Sequence, residues 1–191
     1  FTRRMGKTTV VGVDKSLEML KHCTGYFDGD KFVDTSKSLE VWAVQDGSIV
    51  KYEGDPTKIQ PVIKVRGRYR DFALLDTPTL GILARSSRVA TNVYETLVAS
   101  RGKPVLFFPA RFDVHEVQAA DGYAYNIALL RFNKDHAQEL GAFVSTDAQG
   151  DWWGGAGGGT VAHAAIASFL GDTAEAMMQF SHILPARIPR I

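Results

Sequence analysis

The sequence predicts an α/β (α+β) fold, and three observations predict it. Between residues 39 and 67, short β-rich runs are separated by turn clusters at 45–48 and 53–56. From residue 73 onward, strand-like and helix-like stretches alternate, which argues for parallel strands in an α/β sheet or barrel. Hydrophobic residues make up 45% of the 191 and charged residues 23%, an ordinary balance for a globular chain. Two units are therefore expected, a β-rich one over residues 1–72 and an α/β one over 73–191.

Composition narrows the function classes. A net charge of +1 carries no general nucleic-acid or membrane signal. The single cysteine, Cys23, excludes an internal disulfide framework and makes a reduced, cytoplasmic setting the default. No apolar run is long enough to span a bilayer, and no signal peptide is visible. The chain opens on Phe1-Thr2-Arg3-Arg4 without a methionine and closes on a strand-like stretch at 187–191. It is expected to be an excerpt of a longer protein.

The elements follow in order. Residues 8–13 are β-rich and predict a strand. Asp14 is a candidate helix cap, with Val13, Leu17 and Leu20 at helical spacing. Gly, Asp, Lys and Ser mix over residues 26–38, which predicts a loop. Strands are expected at 39–44, 48–52 and 61–67. This hairpin pattern resembles the modules that carry biotin or lipoate, but the flanked lysine turn of those modules is missing. Lys58, Lys64, Arg66, Arg68 and Arg70 form a basic run, read as a solvated face rather than a binding stripe.

A long helix follows, with Thr77 as N-cap, Pro78 in the first turn and Gly102 as the stop. Thr79, Ile82, Leu83, Ala90, Val93 and Leu97 would be its buried face; Arg85, Ser86, Arg88 and Asn92 would face solvent. Residues 104–108 predict a buried strand, 122–130 a helix, 140–145 a second strand and 172–180 a last helix capped by Asp172 or Thr173. Between them lies Gly154-Gly155-Ala156-Gly157-Gly158-Gly159-Thr160-Val161-Ala162-His163, with an apolar helix-like run after His163. So glycine-rich a loop lets backbone approach a ligand, and a helix start offers N–H groups suited to phosphate. The spacing is neither a Walker A loop nor GxGxxG, and the stretch reads either as a phosphate-handling loop with a nucleophilic or acid–base histidine or as a flexible loop whose histidine caps the helix. In parallel α/β folds, ligands sit at the C-terminal ends of strands. The predicted strands place Phe108, Arg111, Ser145, Thr146, Asp147, Thr160 and His163 there.

Three stretches then resemble the nicotinate phosphoribosyltransferase family. Leu75-Asp76-Thr77-Pro78-Thr79-Leu80-Gly81-Ile82-Leu83-Ala84-Arg85, with Arg88-Val89-Ala90-Thr91-Asn92, is similar to the family's helix, which more often carries Glu where Asp76 stands. Phe107-Phe108-Pro109-Ala110-Arg111 resembles its Phe-Gly-x-Arg strand end, with Pro109 in place of glycine. Gly159-Thr160-Val161-Ala162-His163 matches its Gly-Thr-x-Ala/Pro-His motif, whose histidine is phosphorylated by ATP.

The resemblance implies a type II phosphoribosyltransferase architecture. A β-rich sandwich-type domain over 1–72 would pack on the first part of an irregular α/β barrel over 73–191. It also implies a homodimer, because the family's site lies at a dimer interface. The reaction would join nicotinate to phosphoribosyl pyrophosphate, with Mg²⁺ on the pyrophosphate and ATP hydrolysis through a phosphohistidine. In that scheme His163 accepts the γ-phosphate, and Arg111 binds phosphate oxygens. Phe108 stacks on the ring, with a core aromatic as its alternative, and Arg111 has a surface pair with Asp113 or Glu116 as its alternative. Ser145, Thr146 and Asp147 lie near the base, Thr160 binds nicotinate or phosphate, and Gly157, Gly158 and Gly159 form the phosphate loop. No protein metal site is expected. His115 is the one other histidine near the site. Nicotinamide is the rival substrate, with Asp147 as its discriminating residue; quinolinate fits the histidine motif less well. A non-catalytic scaffold relative is the remaining alternative.

Overall fold

The computed structural model describes residues 6–186 and 188; the strand expected at 187–191 lies, but for residue 188, outside the described residues. Helices dominate. The elements are β1 (Gly6–Thr9), α1 (Val13–Cys23), β2 (Gly25–Asp28), β3 (Lys31–Asp34), β4 (Glu40–Ala43), β5 (Ile49–Tyr52), β6 (Ile63–Arg66), α2 (Asp76–Ser100), α3 (Gln118–His136), α4 (His163–Ala167) and α5 (Thr173–Ile183).

The six strands form three antiparallel pairs, β1–β5, β2–β3 and β4–β6. Neither a two-sheet sandwich nor a closed barrel is found among the described residues. The expected loop over 26–38 is the β2–β3 hairpin, with Phe27 opposite Phe32 and their rings edge to face at 5.4 Å. Aromatic cross-strand pairing offset the turn-like composition. The run from β4 to β6 is not a series of consecutive hairpins, because β5 leaves it to pair with β1. That long-range pairing continues past β1: Val10 N–H donates to Ser48 O at 2.8 Å, and Gly47 N–H donates to Val10 O at 2.8 Å.

The core lies where α2 crosses α3. Ala90, Val93 and Leu97 of α2 meet Ala124, Tyr125, Ala128, Leu129 and Phe132 of α3, with Val11 and Val144 closing the cluster. These residues recur at three- and four-residue spacing, so each helix has one apolar stripe and buries it on the other.

Polar groups on α2 depart from expectation. Ser86 is buried rather than facing solvent. Ser87 and Thr91 are buried too, and they serve the backbone of the first strand. Val11 N–H donates to Ser87 Oγ at 3.1 Å, and Thr9 N–H donates to Thr91 Oγ1 at 3.1 Å. Two helix hydroxyls thus satisfy two buried amides at and just beyond the end of β1.

The helix starts also differ in detail. α2 begins at Asp76 after a 3₁₀ turn at Ala73–Leu75, so Thr77 and Pro78 lie inside its first turn and Thr77 is not the cap. α1 is not capped by Asp14. Its N-cap is Gly12, at φ 100°, and its first amide, Val13 N–H, donates to the distant Asp46 Oδ1 at 2.8 Å. A side chain at Gly12 would be strained by that φ and would crowd Ile82 of α2. α5 is capped as expected: Glu175 N–H donates to Asp172 Oδ1 at 3.0 Å. α2 ends at Ser100, with Arg101 left-handed before Gly102.

Candidate functional site

The predicted strands at 104–108 and 140–145 shrink to single bridges, but the bridges are parallel. Phe107 pairs with Val144, and Val144 with Gly157. Phe107 N–H donates to Phe143 O (2.9 Å), Ser145 N–H to Phe107 O (3.2 Å) and Gly158 N–H to Val144 O (2.8 Å). Three chain segments therefore run side by side in one direction. The loops leaving their C-terminal ends hold Phe108 and Arg111, then Ser145 to Asp147, then Thr160 to His163.

Arg111 joins the first and third of these loops. Its Nη2 donates to Thr160 Oγ1 at 2.8 Å and to Val161 O, while its guanidinium stands 5.5 Å over the Phe108 ring. The expected alternative, an ion pair from Arg111 to Asp113 or Glu116, does not form among the described residues; Asp113 pairs instead with Arg85 at 3.1 Å. Arg111 and Thr160 are exposed and Phe108 is half-buried. The Nε and Nη1 donors of Arg111 are not engaged by the described residues.

His163 opens α4 and is exposed. The helix expected over its apolar run is short, five residues, before the chain turns at Leu170 (φ 56°) and Gly171 (φ 85°). So short a helix adds little dipole to the loop.

The glycine loop uses its amides on the protein itself. Gly157 N–H donates to Asp147 Oδ1 (2.8 Å), Gly158 N–H to Val144 O (2.8 Å) and Gly159 N–H to Ser145 O (3.1 Å). The glycine at 157 has a packing reason, since a Cβ there would sit 2.4 Å from Thr146 C. These three amides brace the rim of loops and are taken up within the protein.

Ser145 is fully buried, and its hydroxyl donates to Gln149 Oε1 at 3.1 Å. Thr146 is half-buried, its N–H shared with the same Oε1 at 3.3 Å. Asp147 is exposed and keeps Oδ2 outside its bond to Gly157. His115 is exposed, at the start of a 3₁₀ turn leading into α3.

Two groups of residues escaped the sequence reading. Gln149 is fully buried: its Oε1 takes Ser145 N–H at 2.9 Å, and its Nε2 donates to Gln118 Oε1 at 2.7 Å. Gln118 in turn donates to Asp113 O (3.3 Å) and Val114 O (3.4 Å). Two buried amides therefore tie the loop after Arg111 to the loop after Val144. The Thr146-x-x-Gln149 spacing, a capping-box pattern, was the available signal. The other group is Arg85 with Asp121. Arg85 Nε and Nη2 donate to Asp121 Oδ1 (2.9 Å) and Oδ2 (2.8 Å), which pins α2 to α3. The hydrogen bond to Asp121, with Asp113 adding to it, pushes the Arg85 pKa up.

Arg85 also lines a cavity of about 670 Å³ between the three long helices, with Gly12, Asp14, Lys15, Tyr123 and Trp152. Tyr123 OH donates to Asp46 Oδ2 at 3.2 Å, and burial followed by the Asp46 charge pushes its pKa up. Burial raises the Asp46 pKa as well, with the nearby Asp14 charge adding to it.

These parts define a mixed α/β fold whose parallel segments end in one rim of loops, a fold that recurs in a solved enzyme structure. Nicotinate-nucleotide pyrophosphorylase from Pyrococcus furiosus matches 99% of this chain with a TM-score of 0.74 at 23% identity. The chain spans 40% of the length of that protein. The likeness establishes the fold. No protein-family profile matches the sequence, and no curated protein matches it. No described helix is long and apolar enough to cross a membrane.

Proposed function

We propose that the chain is part of a phosphoribosyltransferase of pyridine nucleotide metabolism, a nicotinate phosphoribosyltransferase that couples transfer to ATP through His163. The observation that carries this reading is the clasp of Arg111 on Thr160 and Val161 over Phe108, at the shared end of three parallel segments. It places a cation, a hydroxyl, an aromatic face and the loop leading to an exposed imidazole on one rim. The name of the structural neighbour, which joins a nicotinate nucleotide with pyrophosphate, supports the same reaction class.

Transfer breaks the bond from C1 of the ribose to pyrophosphate and forms one to the pyridine nitrogen, through an oxocarbenium-like state. The protein's task is to hold the leaving oxygens and the ring. The free Nε and Nη1 donors of Arg111 suit phosphate oxygens, and Phe108 offers its ring to the pyridine. An imidazole nitrogen of His163 attacks the γ-phosphorus of ATP; the N–P bond forms as the P–O bond to ADP breaks.

Mg²⁺ would supply charge neutralisation on the pyrophosphate. No group of three or more His, Cys, Asp or Glu among the described residues could hold it alone. The fit is thus to a metal carried by phosphate oxygens and water, with Asp147 Oδ2, on the loop after Val144, a carboxylate oxygen facing the glycine loop's side of the rim outside the bond that Oδ1 accepts from Gly157. The working assembly is proposed to be a homodimer.

The test uses the longest form of the protein that can be expressed, with Mg²⁺, ATP, phosphoribosyl pyrophosphate and either nicotinate or nicotinamide. Mononucleotide from nicotinate, with ATP stimulation lost in His163→Ala, is the expected result. Product from nicotinamide alone would reassign the substrate. No product from either base in a folded protein would leave the rim as a scaffold.

A further inference from the structure

The basic run of residues 58–70 is divided by the fold. Lys58 pairs with Asp55 at 3.5 Å. Arg68 and Arg70 stack on Tyr26, at 5.2 and 4.9 Å, and both pair with the buried carboxylate of Asp71. Lys64 and Arg66 are left, and both lie on the β4–β6 ladder. Trp42 is the direct cross-strand partner of Lys64, and Glu40 of Arg66. Direct partners share a face, and so do residues two apart on one strand. Trp42, Lys64 and Arg66 therefore stand on one face, with the Arg66 guanidinium 5.5 Å over the Trp42 ring.

These three side chains edge a concavity of about 430 Å³ whose floor is apolar, from Val44, Pro61 and Val62. The volume falls in the range of small-molecule sites. Trp42 is 51% exposed, so aromatic surface remains open to water beside the Arg66 guanidinium. Lys64 has no ion-pair partner among the described residues. The pair of Arg66 with Glu40, at 3.3 Å between exposed side chains, is weak enough to be exchanged for a ligand's charge.

We infer that this face is a second binding site, for a flat aromatic anion no larger than a mononucleotide, whose ring packs on Trp42 and whose phosphate or carboxylate lies between Lys64 and Arg66. A π-face, an apolar floor and two cations on one ladder are the combination that takes a base together with its charge. The site belongs to the strand-rich part of the chain and does not depend on the chemistry assigned to the rim.

Calorimetric titration at low salt tests it, in an Arg111→Ala background that removes the rim's phosphate-binding cation, with the Trp42 and Lys64/Arg66 variants separating this face from the remaining rim groups. The probes are AMP, nicotinate and, as the uncharged control, adenosine. AMP is expected to saturate with Kd of about 0.1–1 mM. Trp42→Ala should weaken it at least about fivefold, with Trp42→Phe retaining most of the binding. Lys64→Ala with Arg66→Ala should weaken it about fivefold and flatten its dependence on salt. Nicotinate binding with the same sensitivities, and AMP silent, would make the charge a carboxylate. The inference is overturned if neither anion saturates by about 5 mM. It is equally overturned if the variants bind unchanged, or if adenosine binds as tightly as AMP.

Discussion

Arg85 and Asp121 offer the sharpest test of how this fold is held. The Asp121 side chain is only 2% exposed, while that of Arg85 is 43% exposed. Two charges about 4 Å apart attract by roughly 4 kcal/mol at an effective dielectric of 20. Desolvation of the carboxylate offsets part of that, and the exposure of Arg85 screens more. Removing the cation nevertheless leaves a buried, unpaired carboxylate, which costs about 3–5 kcal/mol in a fully buried pair. Discounted for exposure, Arg85→Met, which keeps most of the stem, should destabilise the chain by about 2–3 kcal/mol. For a chain of this size that is a fall in Tm of roughly 4–12 °C. Urea unfolding of Arg85→Met, Asp121→Asn and the double variant gives the cycle, with an expected coupling of about 1.5 kcal/mol or more. Asp113→Asn is the internal control, since the Arg85–Asp113 pair joins two partly exposed side chains, and it should cost less than about 1 kcal/mol. Arg85→Met within about 0.5 kcal/mol of the parent, or a coupling near zero, would refute the reasoning.

Four further substitutions follow from the same structure. Asp71 and Asp46 should move stability in opposite directions with pH. The hydrogen bond from Arg68 lowers the Asp71 pKa below 3.8, so its contribution is present above that value and lost as pH falls through the lowered pKa; Asp71→Asn should lack that part of the acid limb in a pH series of urea midpoints. Burial raises the Asp46 pKa above 3.8, so its contribution is present below that value and lost as pH rises through the raised pKa; Asp46→Asn should gain on the parent over that window, and a constant difference between them would contradict it. Gly122→Ala would place a Cβ 1.9 Å from Gln149 O, a backbone atom, and should cost about 2–3 kcal/mol; a thermal melt matching the parent would count against the close packing of α3 on the 147–150 turn. Tyr125→Phe removes the acceptor of Phe143 N–H (2.9 Å) and should cost about 1–3 kcal/mol, with faster amide exchange at Phe143 as the local readout.

Local patterns determined a good part of this protein. The apolar spacing of Ala90, Val93 and Leu97 marked the long helix, and Asp172 marked the start of α5, because cap and period act within a turn or two of chain. The order of strand-like ends also puts Phe108, Arg111 and Thr160 on neighbouring loops, where Arg111 bonds Thr160 and stands over Phe108. What local patterns could not reach were choices between distant partners. Nothing near β5 says that it pairs with β1 rather than with β4, since either ladder satisfies the same amides. Nothing near Arg85 or Ser87 distinguishes a solvent-facing polar residue from one that meets Asp121 or the Val11 backbone across the core. The glycine loop looks from its residues like backbone held ready for a ligand; the amides of Gly157, Gly158 and Gly159 are instead claimed by Asp147, Val144 and Ser145. Each of these outcomes depends on which groups the fold brings within about 3 Å of one another, and the chain acquires that information only when α2 and α3 bury their apolar stripes together.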